Sequence, residues 1–112
     1  MKNPFGQLLL PKAVLNKIPA IGSQEGKGEN AIAYVKFFMR GFTWYGTEYD
    51  PARGLMFGKT YNTQMQEPDG ELGYWDMHEL SSVRVGFSVV ERDTSFKPTP
   101  LKECVDPCAV RS

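Results

Sequence analysis

The chain has 112 residues, and 41% of them are hydrophobic. The charges of its 13 basic and 13 acidic side chains cancel, so its formal net charge is zero. This composition is typical of one ordinary globular domain and argues against a general nucleic-acid binder, which carries an excess of Lys and Arg. No apolar run of about 18 residues and no secretory signal pattern is present. We therefore expect a cytoplasmic protein without a membrane partner and a single domain over 1–112, with an ordered core over about 8–103 and a tail over 104–112.

The first predicted element is a short helix between Leu8 and Pro19, with Pro11 at its first position. Its apolar stripe consists of Val14, Leu15 and Ile18. The glycine-rich segment 20–30 that follows lacks the Gly-Lys-Ser/Thr pattern of a phosphate-binding loop and precedes a strand. It predicts a flexible loop.

Two aromatic and β-branched runs, 31–39 and 42–49, flank an Arg-Gly pair at 40–41. This spacing is typical of a β-hairpin with a two-residue turn. In the corresponding register Phe37 opposes Trp44, and the two side chains share a core face.

The other face of this hairpin is the first candidate binding surface. Its side chains are Tyr34, Lys36, Phe38, Tyr45 and Tyr49. Aromatic side chains beside Lys on an exposed sheet can anchor a protein partner or stack on the bases of a single-stranded nucleic acid. We expect Tyr34, Lys36, Tyr45 and Tyr49 to make that contact. The alternative is that helices cover the face, so that the sheet is buried on both sides.

The next elements complete a meander. Asp50–Gly54 predicts a turn and Leu55–Tyr61 a third strand. Glu71–Trp75 predicts a fourth strand, after which Asp76 is expected to cap a short helix that ends near 82–83.

The last predicted elements are a strand over Val85–Arg92 and an extended segment over Lys97–Glu103 that ends in a helical turn capped by Thr99. Together the elements predict an α+β fold. It consists of one antiparallel sheet of four to five strands, arranged as hairpin and meander, with two or three short helices.

Glu48 is the candidate carboxylate at the centre of a site. In the predicted register it lies opposite Ala33 on the core side, where a carboxylate is unfavourable unless paired, and Arg92 is the expected ion-pair partner. The functional alternative is a pocket around Glu48, Asp50, Arg92 and Asp93 that binds a cation or a small substrate. No spacing motif links these carboxylates, so we expect no metal site and no cofactor.

A second candidate surface is an acidic strip without an intervening Lys or Arg. It comprises Glu67, Asp69, Glu71, Asp76 and Glu79. Such a strip can attract a basic partner by complementary charge. The alternative interpretation is a solvated loop and helix face.

Cys104 and Cys108 are separated by three residues near the C-terminal end. They could form a redox pair or half a zinc site, but a zinc site needs four ligands and His78 alone does not complete the set. We expect two thiols on a tail, and a surface histidine in the first turn of the short helix.

An ordered series of short motifs runs from Leu9 to Glu103. It comprises Leu9–Lys12, Trp44–Asp50, Phe57-Gly58, Glu71–Tyr74, Val90–Asp93 and Phe96–Leu101. The series resembles a small bacterial family of unknown function, number twenty-nine fifty-eight, seen on plasmids, phages and integrative elements. The resemblance implies a mobile-element context, often beside anti-restriction genes, and implies no catalytic residue.

The functional expectation is a non-enzymatic accessory protein that acts through contacts with a protein partner in a mobile-element or host-defence setting, in the manner of anti-restriction proteins. Two alternatives stay open. One is a single-stranded nucleic-acid binder that uses the aromatic face, and the other is a small metal-dependent hydrolase around Glu48, Asp50 and Asp93. The identity of the partner and the oligomeric state are left open.

Overall fold

A five-stranded antiparallel sheet forms the centre of the structure, a computed structural model that describes residues 1–62 and 70–104. The elements in chain order are α1 (Lys12–Leu15), a 3₁₀ turn (Gly28–Asn30), β1 (Ile32–Ala33), β2 (Val35–Met39), β3 (Phe42–Asp50), β4 (Leu55–Asn62), β5 (Glu71–Asp76), α2 (Met77–Ser82), β6 (Arg84–Val85), β7 (Ser88–Val89), β8 (Glu91–Arg92), β9 (Thr99–Pro100) and a second 3₁₀ turn (Leu101–Glu103). The strand order in the sheet is β5-β4-β3-β2-β8, and β1–β9 and β6–β7 form two small separate pairs. The predicted α+β fold is confirmed.

The predicted hairpin between β2 and β3 is confirmed in its register. Phe37 pairs with Trp44 and Met39 with Phe42, around a turn in which Gly41 has a φ of 81°. A positive φ suits glycine, which has no Cβ to collide with the backbone. The Arg-Gly pair at 40–41 therefore sets the register of the two central strands.

The hairpin is shorter than predicted. Beyond the pair of Val35 with Gly46, the chain of β1 leaves β3 and pairs with β9, so that Ala33 lies opposite Thr99 and not Glu48. Predicted pairing over the whole of 31–39 is thus wrong, because the segment at Thr99 takes over as the hydrogen-bonding partner.

A β-bulge in β3 reverses the predicted orientation of the residues after it. Gly46 pairs with Gly58 of β4, but Glu48 pairs with Phe57, which leaves Thr47 as the extra residue. One extra residue moves every later side chain to the opposite face of the sheet. Tyr49 therefore packs with Trp44, and Glu48 lies on the face of Tyr45.

One face of the sheet, the first face, carries the main hydrophobic core. Its fully buried members include Phe37, Met56 and Met77. Both α-helices cover this face, since Val14 and Leu15 of α1 and Leu80 of α2 pack into the same cluster. The apolar stripe predicted for the first helix is confirmed, although α1 itself spans only four residues.

The opposite face, the second face, carries a smaller cluster. Its members are Ala31, Ala33, Tyr45, Tyr61, Leu101 and Cys104. Phe96 packs against it, and the 3₁₀ turn at Leu101–Glu103 contributes Leu101. The α-helices do not cover this face. Within 1–62 and 70–104, loops and short elements cover it only in part.

The capped helix predicted after the fourth strand is confirmed. The Asp76 carboxylate accepts hydrogen bonds from the backbone N–H groups of His78 and Glu79, at 2.7 and 3.3 Å, and α2 ends at Ser82. The cap predicted at Thr99 is wrong, since Pro100 occupies the cap position of the last 3₁₀ turn.

The single last strand predicted over Val85–Arg92 is also wrong. Gly86 adopts a φ of 61° and reverses the chain, so that Val85 pairs with Ser88, while β8 joins the sheet beside β2. Phe87 at this turn is 91% exposed.

Among the residues that the structure describes, no helix is long and apolar enough to cross a membrane.

Candidate functional site

The four residues predicted as one contact face do not form one surface. Tyr45 and Tyr49 are 3% and 6% exposed and lie on opposite faces of the sheet. Tyr34 packs against the first core, the cluster that contains Tyr49, and Lys36 lies across from Tyr45. The bulge at Thr47 and the end of the hairpin at Val35 separate the two pairs. The predicted exposure of this face is corrected, because both central tyrosines belong to hydrophobic clusters.

Lys36 itself is engaged within the fold. Its Nζ lies 3.7 Å from a carboxylate oxygen of Asp93 and 5.8 Å from the centre of the Tyr45 ring. The backbone N–H of Asp93 also donates to the Lys36 carbonyl, at 3.0 Å. These contacts hold the residues after β8 against β2.

Glu48 is buried, as predicted, but its partner is not Arg92. The carboxylate accepts hydrogen bonds from the backbone N–H groups of Gly22 and Gln24, at 3.2 and 2.6 Å. The Arg92 side chain instead donates to the Leu8 carbonyl at 3.3 Å, and no ion pair within 1–62 and 70–104 joins it to Glu48. The ion-pair prediction is therefore wrong, while the need of a buried carboxylate for hydrogen-bond donors is met by a loop.

Gln24 attaches the same loop at a second point. Its side-chain amide donates to the carbonyls of Ile32 and Thr47, at 3.0 and 2.9 Å, and accepts from the Ile32 N–H at 2.7 Å. This side chain is buried. The glycine-rich segment predicted as a flexible loop is thus anchored to β1 and β3 by two polar side chains.

The bulge that turns Glu48 towards the loop is itself stabilised locally. The Thr47 hydroxyl donates to the Phe57 carbonyl at 3.0 Å. On the facing strand, a Cβ at Gly58 would collide with the Tyr45 carbonyl oxygen, so glycine is required there by the close approach of the two backbones.

An open cleft of about 640 Å³ lies between this anchored loop and the second face of the sheet. The loop side consists of Ile21, Gly22, Gln24, Glu25, Gly26 and Gly28, and the sheet side of Thr47, Glu48, Phe57, Leu72 and Tyr74, with Ala31 and Leu101 between them. The lining is mostly apolar and contains two carboxylates, Glu25 and Glu48, but no Lys or Arg. Such a volume accommodates a small molecule or a few side chains of a partner.

Strand β5 forms the outer wall of the cleft. Leu72 and Tyr74 are 44% and 58% exposed although both are large and apolar. The Tyr74 ring lies 4.8 Å from the ring of Phe57, at an interplanar angle of 59°. The outer wall therefore includes the ring pair of Phe57 and Tyr74, and the Tyr74 side chain extends to the molecular surface.

The acidic strip is in part attached to the same strand. Glu71 begins β5 and is exposed, Asp76 ends it and caps α2, and Glu79 is exposed on that helix. Glu67 and Asp69 lie outside the described residues. Of the described part of the strip, Glu71 and Glu79 are thus exposed to a partner, and Asp76 is half-buried and also caps α2.

The carboxylates proposed for a hydrolase are not brought together. Asp50 forms an ion pair with Arg53 at 2.7 Å, and this hydrogen bond lowers the pKa of Asp50 below its ordinary value. Asp93 pairs with Lys36, and Glu48 binds the loop. Within the described part of the chain no group of three or more His, Cys, Asp or Glu side chains is placed to hold a metal ion.

Cys104 belongs to the fold and not to a tail. It is 6% exposed in the second cluster, its carbonyl accepts a hydrogen bond from the Tyr61 hydroxyl at 3.1 Å, and burial raises the pKa of its thiol to about 11. Cys108 lies outside the described residues. His78 is exposed in the first turn of α2, where the prediction placed it.

The cleft itself was missed by the sequence analysis, although two signals for it exist. Gly46 and Gly58 interrupt two strand patterns, and an isolated glycine in a strand indicates a bulge or a close backbone approach. Leu72 and Tyr74 share one face of a short strand that begins and ends with acids, which is the pattern of an exposed edge.

These features define an α+β protein whose five-stranded sheet carries a packed core on one face and an open cleft on the other. The model of a family described as Protein of unknown function (DUF2958) matches residues 9–106, and the chain belongs to this family. The predicted family resemblance is confirmed. No curated protein and no solved structure matches the chain.

Proposed function

We propose that this protein is a non-enzymatic accessory protein that works in the cytoplasm by binding a protein partner through β5 and the mouth of the cleft. The single observation that carries the proposal is the exposure of Leu72 and Tyr74, at 44% and 58%, on an outer strand next to a mostly apolar cleft. Exposed apolar and aromatic side chains rimmed by polar groups are typical of protein interaction sites. The mobile-element or host-defence setting, with an anti-restriction-like role, rests on the family resemblance alone.

Other surfaces of the chain support this function less well. Tyr45 and Tyr49, which were expected to contact a protein or a nucleic acid, are almost completely buried. Phe87 is more exposed than Tyr74, but the small groove beside it, with Phe38 and Arg40, has a smaller volume of about 390 Å³. The β5 surface combines exposed apolar area, a larger cleft and a uniform charge.

A capture experiment with matched variants tests the proposal. The tagged chain is incubated with a bacterial host lysate, and bound proteins are quantified by mass spectrometry for the wild type, for Leu72→Ser with Tyr74→Ala, and for the control Val85→Ser with Phe87→Ala. The control removes exposed apolar side chains from another surface. We expect the β5 variant to lose a defined partner by about tenfold or more, the effect of removing a contact residue at the centre of an interface. Equal capture by all three proteins would refute the β5 surface as the binding site.

A further inference from the structure

Strand β5 is an edge strand of the sheet. It pairs with β4 alone, in an unbroken register from Leu55–Asp76 to Thr60–Glu71. No described residue other than those of β4 forms a backbone ladder with it. In such a strand every second pair of backbone groups points away from the neighbouring strand, and these groups can pair with another chain.

Strand β5 carries an acid at each end, but three other devices that block an edge strand are absent from it. Natural edges are blunted by Lys, Pro or a bulge, whereas β5 reads Glu-Leu-Gly-Tyr-Trp-Asp and pairs without a register shift. Gly73 at its centre leaves open space where a side chain would stand, on the face opposite to Leu72 and Tyr74. No β5 side chain therefore covers that face at the middle of the strand.

The charge of the strand selects among possible occupants. Glu71 and Asp76 stand at its two ends, and Glu79 follows on α2. If two copies of the chain paired antiparallel along the full length of β5, Glu71 of each copy would lie opposite Asp76 of the other. Like charges directly opposite destabilise a pair of strands, so a second copy is a poor occupant.

A basic segment, in contrast to a second copy, is attracted by the acidic side chains of β5. Residues 60–83 contain no Lys or Arg, and the cleft beside β5 is lined by two carboxylates and no cationic side chain. A partner strand with Lys or Arg at its ends would place opposite charges at Glu71 and Asp76. Complementary charge steers association and fixes the register of the partner.

We propose that β5 receives an extended basic segment of the protein partner as a sixth strand, a mode that rests on the protein-binding function proposed above. Main-chain hydrogen bonds to β5 supply affinity, and alternate side chains of the segment point to opposite faces of the sheet. On the second face these side chains lie beside Leu72 and Tyr74, where the cleft takes apolar side chains between the basic ends.

Synthetic peptides test this mode without the natural partner. The Lys-Val peptide, of about ten residues, the upper range of strand length, has two Lys residues five positions apart, to oppose Glu71 and Asp76, and two Val residues between them, to oppose Leu72 and Tyr74. A matched Glu-Val peptide has Glu in place of each Lys. A third peptide has the Lys-Val sequence with N-methyl groups on alternate amides, which keep the charge but remove one row of hydrogen-bond donors. Binding is measured by calorimetry, and hydrogen exchange of the β5 amides by NMR.

We expect the Lys-Val peptide to bind at least about tenfold more tightly than the Glu-Val and N-methylated peptides, and to slow exchange at β5. Glu71→Lys should weaken its binding by about tenfold, whereas Glu91→Lys, an exposed change on the opposite edge strand β8, should leave it unchanged. Equal binding of the N-methylated peptide, or binding without slower exchange at β5, would overturn strand addition.

The two proposals fail separately. If capture from the lysate depends on Leu72 and Tyr74 but the Lys-Val peptide does not bind, the protein-binding function stands and strand addition is refuted. If the peptide adds to β5 but the captured proteins are the same for the β5 variant and the wild type, the edge accepts a strand and the proposed function is refuted.

Discussion

The two faces of the central sheet differ in the polarity of their buried side chains. The first face is apolar throughout its interior, with Phe37, Met56 and Met77 fully buried and both helices packed over it. The second face holds both buried charged side chains of the described residues, Glu48 and Lys59, which are 5% and 4% exposed. The same sheet thus separates an apolar core from a face that carries buried charges.

The difference shows how burial of charge organises a surface. Glu48 is satisfied by the N–H groups of Gly22 and Gln24, and Lys59 forms an ion pair with Glu29. All three partners come from the segment 20–30, because a buried charge needs a partner within hydrogen-bond distance. This segment is therefore held across the second face with the cleft beneath it, whereas the first face holds its helices by apolar contact.

The largest expected effect lies in the first face. Phe37→Ala should reduce the free energy of unfolding by about 3–5 kcal/mol, because it removes a large side chain from a fully buried position and leaves a cavity. Urea unfolding followed by circular dichroism measures the change. The control Phe87→Ala, at a residue 91% exposed, should change stability by less than about 0.5 kcal/mol. Similar losses for both variants would show that the first face is not the main core.

An intermediate effect is expected for the second face. Glu48→Ala should reduce the free energy of unfolding by about 1–3 kcal/mol, because the N–H groups of Gly22 and Gln24 lose their acceptor. Glu48→Gln should lose less, since its one carbonyl oxygen can still accept. Hydrogen exchange at Gly22 and Gln24 should accelerate more in Glu48→Ala than in Glu48→Gln. Unchanged exchange in both variants would contradict the anchored loop.

The smallest effect is expected at the exposed pair of Asp50 and Arg53, which lies outside both cores. The hydrogen bond from Arg53 lowers the pKa of Asp50 in the folded state below its ordinary value of 3.8. Its contribution to stability is therefore present above pH 3.8 and disappears as the pH falls through the lowered pKa. The stability of wild type and Asp50→Asn should differ slightly at neutral pH and converge in acid, as measured by urea unfolding. A difference in stability between the two proteins that increases as the pH falls would contradict a lowered pKa of Asp50.

Much of the fold was predictable from local patterns. The turn at Gly41, the strand of Leu55 and the cap at Asp76 follow from turn chemistry and capping, which act over a few residues. The reversal at Gly86 was missed, because apolar residues on both sides of it continue the strand pattern while its φ of 61° turns the chain. A glycine inside an apolar run permits either outcome.

The candidate site was predictable only in its chemical requirement. That Glu48 needs a partner follows from the properties of a buried carboxylate, but its donors at Gly22 and Gln24 lie 26 and 24 residues away along the chain. Backbone N–H groups have no signature in the sequence, since every residue except proline carries one. From the sequence, the charged side chain of Arg92 could be proposed as the partner of Glu48, but the backbone N–H groups of the loop could not.

The amino-acid sequence by itself determined the local structure: where strands alternate, where glycine permits a turn and where an acid caps a helix. The tertiary structure alone decided which face each residue after Thr47 occupies and which segment covers it. The physical reason is that one extra residue in β3 exchanges the two faces, and the contacts that hold it there, such as the hydrogen bond from Thr47 to Phe57, join different strands.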